Sequence, residues 1–103
     1  MENVQPVEYI MRSTLKPLGY FKIEIDSRNR THPYFLADGN SRRIIVQVQI
    51  GEYPNSPTQP SEAEIKELKK IAENSNREAW LALIKINSEG ELVDTVLWMN
   101  LSK

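Results

Sequence analysis

Residues 79–86 read AWLALIKI, and up to Lys85 every position in this stretch is apolar. A strand turns alternate side chains to opposite faces, so a run of this kind has two apolar faces. That is the mark of a central strand in a covered sheet. A chain of 103 residues built around such a strand is expected to form one domain, residues 1–103, with a modest core. The rest of the chain supplies what must surround it.

Val4, Val7, Met11, Leu15 and Leu18 recur at helical spacing and predict an amphipathic helix over about residues 3–16, stopped by Pro17 and Gly19. Residues 20–26, YFKIEID, alternate as a half-buried strand, with Phe21, Ile23 and Ile25 predicted to face inward. A polar loop over residues 27–31 leads to a second strand at 32–37, and Asp38-Gly39-Asn40-Ser41 is a strong hairpin signal. A third strand at 43–50 then completes an antiparallel meander. GEYPNSPTQP, residues 51–60, has three prolines and reads as a surface loop. Ser61 and Glu64 form a capping box that opens a second helix, with Ile65, Leu68 and Ala72 as its inner stripe. Two final strands, 79–86 and 92–101, flank Asn87-Ser88-Glu89-Gly90. The order is helix, three-strand meander, helix, two strands. It predicts an α/β (α+β) fold whose mixed sheet is flanked by helices, with a right-handed parallel crossover between the third and fourth strands.

Composition excludes several chemistries. The chain has no cysteine, so disulfide frameworks, thiolate catalysis and zinc ribbons are ruled out. His32 is the single histidine, too few for a histidine-based zinc site, and it stands before Pro33 where a loop or strand-edge role is expected. Walker A, dinucleotide-binding and G-x-S-x-G patterns are absent. No apolar run approaches the roughly 18 residues of a membrane span. MENVQPVEYI also lacks the basic and apolar blocks of a signal peptide, which points to a cytoplasmic protein without membrane contact. Trp80 and Trp98 are expected in the core, the alternative being a flat dimer surface.

Net charge is −1, which does not suit a nucleic-acid-coating protein. The distribution is uneven: residues 1–50 hold seven Lys or Arg against five Asp or Glu, and residues 51–103 hold six against nine. Arg28, Arg30, Arg42 and Arg43 gather around the middle of the chain. They read either as solvated loop charges or as a patch of guanidinium forks facing phosphates.

Within RRIIVQVQIG, residues 42–51, one strand face carries Ile44, Val46, Val48 and Ile50, and the other carries Ile45, Gln47 and Gln49. Two neutral amides thus stand about 7 Å apart on one face. With Asp38 just upstream, LADGNSRRIIVQVQ resembles the PD-(D/E)xK nuclease superfamily, most of all its Mrr-type branch, where glutamine commonly fills the first motif place. The resemblance extends over the element order and implies a restriction-endonuclease-like fold. It further implies that Asp38 is a metal-binding acid, that Gln47 stands in the second acid's place, and that Gln49 stands in the lysine's. Glu8 matches the place of an additional metal-binding acid on the first helix. The implied cofactor is Mg2+ or Mn2+ and the implied partner is DNA, contacted through the four arginines.

Both glutamines are departures from the motif. An amide oxygen is a weaker magnesium ligand than a carboxylate. A neutral amide also stabilises developing negative charge far less than an ammonium group, unless Lys22 or Lys85 supplies one from an adjacent strand. The expectation is therefore a nuclease-fold protein with a degenerate site, weakly active or inactive as a metal-dependent phosphodiesterase. The alternative is a non-catalytic interaction module or accessory subunit, dimeric, needing neither metal nor nucleic acid. Plain readings remain beside both: Asp38 suits a tight turn, IVQVQI suits an amphipathic strand, and Glu8 suits an i,i+4 pair with Arg12. The last strand, being apolar, is expected at a sheet edge where it can pair with another chain.

Overall fold

The computed structural model describes residues 4–26 and 34–101, so Arg28, Arg30 and His32 lie outside the described residues. The first helix, α1 (Val4–Leu15), runs into one 3-10 turn at Lys16–Leu18. Pro17 cannot donate the bond that would continue the α-helix, and Gly19 takes the φ of 101° with which the chain leaves it. The strands are β1 (Tyr20–Asp26), β2 (Tyr34–Gly39), β3 (Arg43–Glu52), β4 (Glu78–Ile86) and β5 (Leu97–Asn100), with α2 (Glu62–Asn74) between β3 and β4. They form one sheet in the order β1-β2-β3-β4-β5. β3 and β4 pair in parallel through the α2 crossover, and the other neighbours pair antiparallel. This is a mixed α+β fold with a five-stranded mixed sheet and two helices.

The two faces of the sheet have separate cores. Val7, Ile10, Met11 and Leu15 of α1 pack on Phe35, Ala37, Val46, Val48, Ala82 and Ile84. Leu68 and Ala72 of α2 pack on Tyr34, Ile45 and Ala79. Ala79, Leu81, Ala82, Ile84 and Ile86 of the doubly apolar β4 are buried between the two layers, as its composition requires. Ser61 caps α2 as predicted: its hydroxyl accepts from the Glu64 backbone, and the Glu64 carboxylate accepts from the Ser61 backbone. Trp80 and Trp98 meet edge to face at 6.3 Å, half-buried against the α1-side core.

Three local expectations are corrected. Phe21 is 69 % exposed, while Tyr20 and Ile23 are buried. The β1–β2 register jumps between Tyr20 and Lys22, so Phe21 is the extra residue of a bulge and is turned outward. Leu18, expected on the buried stripe of the first helix, is exposed because the α-helix ends before it. The last strand is shorter than residues 92–101. Leu92 makes an isolated bridge to Ile86, Asp94 adopts a φ of 65° that no strand residue holds, and pairing resumes at Leu97 opposite Leu83.

The proline-rich loop after β3 folds back on that strand. A Cβ on Gly51 would overlap the Pro57 backbone nitrogen and lie 2.6 Å from the Ser56 carbonyl carbon. Gly51→Ala therefore forces backbone against backbone. It should lower stability by about 2 kcal/mol, a thermal-melt shift of roughly 8 °C or more.

Candidate functional site

Asp38, Gln47 and Gln49 share the α2 face of the sheet, because they alternate with residues of the α1-side core on their strands. They do not converge. Asp38 pairs across the hairpin with Arg43, and the residue opposite Gln47 is Tyr34. Four strand positions, about 13 Å, separate the acid from the first glutamine. The cause is the short hairpin, which turns at Asn40-Ser41 just after Gly39 and fixes the register. The Gly39 backbone nitrogen donates to the Arg42 carbonyl at 2.8 Å.

Asp38 has cationic partners. Arg77 Nη1 lies 2.8 Å from Asp38 Oδ1, and Arg43 Nε lies 3.6 Å from the same oxygen. The Arg77 side chain is only 9 % exposed, and the Asp38 side chain 22 %. Arg77 Nη1 also donates to the Ile44 carbonyl at 3.1 Å. One guanidinium thereby joins the β2 end, the β3 start and the segment entering β4. Arginine suits this role because it stays charged and offers several donors in a fixed fork.

Gln47 and Gln49 are 3 % and 1 % exposed. Gln49 Nε2 donates to the Thr58 carbonyl oxygen at 2.8 Å, and Gln47 Nε2 donates to Gln49 Oε1 at 2.8 Å. The Thr58 carbonyl can only accept, so Gln49 must present its amino group there and its oxygen to Gln47. The order of donors and acceptors along this chain is fixed by its last member. Buried amides require partners of this kind, and here they pin the proline-rich loop to the sheet. Gln47 Oε1 is the one amide oxygen of the pair not used in the chain.

Glu8 lies on α1, across the sheet from Asp38. It pairs with Arg12, whose Nη2 is 3.0 Å from Glu8 Oε2. Arg42 and Arg43 are also on opposite faces. Arg42 Nη2 is 3.0 Å from Glu78 Oε1, and its guanidinium stands 6.0 Å from the Trp80 ring centroid. The hydrogen bond and the negative charge of Glu78 raise the pKa of Arg42. Among the described residues, no three His, Cys, Asp or Glu side chains gather as a metal-holding group. No described helix is long and apolar enough to cross a membrane.

Residues 7–101 match the family model of Domain of unknown function (DUF8840), which reaches from α1 to just past β5. The chain belongs to that family. No curated protein matches it. In this DUF8840 domain the residues that organise the α2 face include two that sequence reasoning passed over, Arg77 and Thr58. Arg77 precedes the apolar β4 run without any local motif, and its partners lie 33 and 39 positions away. Thr58 acts through its backbone carbonyl, which no side-chain pattern announces.

Proposed function

We propose that this DUF8840 domain is a non-catalytic interaction module on a restriction-endonuclease-like scaffold, and that it does not cut DNA. The order of helix, meander, helix and strands, with a helix against each face of the sheet, supports the scaffold. One observation carries the non-catalytic reading. The places that would hold an acid and a lysine are filled by two buried amides bonded to each other and to Thr58. An amide at 1 % exposure, bonded to the loop and to its neighbour, is neither a base nor a cation and is closed off from any water it could activate. The Asp38 carboxylate, meanwhile, serves Arg77 rather than a second ligand.

The partner in this reading is a second copy, met along the β5 edge. Residues 95–101 contain no charge, and Leu97 and Met99 are exposed. The opposite edge, β1, carries Lys22 and Glu24 and a bulge, features that discourage strand pairing. An uncharged strand can meet its own copy antiparallel without opposing like charges.

A nicking assay on supercoiled DNA with magnesium or manganese, run beside sedimentation velocity, tests this reading. The expected result is no metal-dependent nicking by the wild type or by Gln49→Lys, with concentration-dependent self-association that Leu97→Lys abolishes. Cleavage that Asp38→Ala removes, or a sedimentation coefficient independent of concentration, overturns it.

A further inference from the structure

A cleft of about 600 Å³ opens on the α2 face where neither α2 nor its own core reaches. That volume is ordinary for a small-molecule site. Its floor is the cross-strand pair Leu83 and Leu97, and Pro57 of the pinned loop forms one wall. The loop leaves the carboxyl end of β3, which runs parallel to β4, so the cleft lies on the sheet face beside the carboxyl half of that pair.

Two opposite charges line it, Lys85 and Asp94. Neither has a hydrogen-bonded or ionic side-chain partner among the described residues, so they do not neutralise each other by direct contact. Asp94 is held there by an irregularity in the backbone. The Val93 nitrogen donates to the Lys85 carbonyl at 2.7 Å, and Leu97 pairs with Leu83. Two residue steps on β4 are thus spanned by four on the other side, and Asp94 sits in the excess at φ 65°. Bulges re-aim side chains, and non-glycine residues in the left-handed region gather at binding sites.

We propose that this cleft binds a small zwitterion with apolar side chains, of amino-acid to dipeptide size. The ligand carboxylate faces Lys85, its ammonium faces Asp94, and its aliphatic groups cover Leu83 and Leu97. A simple anion would leave Asp94 opposed to it, and a simple cation would leave Lys85 so. The Thr95 and Ser56 side chains, also in the lining, offer hydroxyls that serve either charged end. The site shares no residue with the Asp38 and glutamine networks and only Leu97 with the proposed β5 contact, so its failure leaves the non-catalytic reading standing.

The probe is leucyl-leucine, titrated into the 15N-labelled full chain and followed by amide shifts. The expected result is saturable shifts at residues 83–85 and 93–97 with a Kd of about 1 mM or tighter. N-acetylation removes the ammonium and C-amidation removes the carboxylate; each should weaken binding by about fivefold. The losses should pair with the protein's charges. Asp94→Asn, which tolerates the same backbone, should bind the acetylated and free peptides alike, and Lys85→Met should not distinguish the amidated from the free peptide. Overlay of the unliganded spectra shows that both variants are folded. Absence of saturable shifts, shifts centred elsewhere, or binding indifferent to either charge overturns the assignment.

Discussion

Replacing Gln49 with leucine lowers the stability of the domain by about 3 kcal/mol, although the side chains are close in size and the site is buried. The loss comes from the groups left behind. Gln47 Nε2 loses its acceptor inside the sheet-helix layer, and the Thr58 carbonyl loses its donor. Thr58 is exposed and its carbonyl can turn to water, so most of the penalty falls on Gln47. The double variant Gln47→Leu, Gln49→Leu should therefore lose less than the two single variants added together, because no stranded amide remains. Urea midpoints at unchanged m-value measure this. Additive losses would mean that the two amides do not act as one chain.

Arg77→Ala should be comparably severe, about 3 kcal/mol, at the low end for breaking a buried pair because Asp38 keeps some solvent contact and Arg43 nearby. Three elements lose their shared tie at once: the β2 terminus, the Ile44 carbonyl and the entry to β4. Asp38→Ala should be milder, since Arg77 keeps its backbone acceptor. A double-mutant cycle between Asp38 and Arg77 should show coupling of about 1–3 kcal/mol. A loss below that of Asp38→Ala would mean that Arg77 is not the organising member.

The sequence was most legible where structure is local. The Ser61-Glu64 box, the hairpin within Asp38-Gly39-Asn40-Ser41 and the two-faced apolar run at 79–86 each depend on neighbours within a few positions, and each formed. Asp38 and Gly39 nevertheless belong to β2, and the turn itself is at Asn40-Ser41. The bulge at Phe21 was not legible, because strict alternation in YFKIEID conceals one extra residue against β2. The end of the last strand was hidden similarly: LVDTVLWMNL looks uniformly strand-like, and only the backbone reveals that Asp94 interrupts it. For the candidate site, the order LADGNSRRIIVQVQ placed Asp38 and the glutamines on one face. It could not reveal that a tight hairpin sets them four positions out of step. That is a matter of register, and register is decided by the turn. Nor did the glutamines disclose their partner, since Thr58 contributes a backbone oxygen from a loop without periodicity.

The parallel pairing of β3 with β4 has a kinetic consequence. Its register joins Ile44 to Glu78 and continues to Glu52 with Ile86, so every contact spans 34 residues of chain. Closing so long a segment removes conformational freedom before the contacts can compensate, whereas the β2–β3 hairpin closes within a few residues. The β3–β4 pairing at the centre of the sheet is therefore expected to form after the β2–β3 hairpin. Until α2 and β4 arrive, the α2 face of the meander, with Tyr34 and Ile45, stands open to other chains.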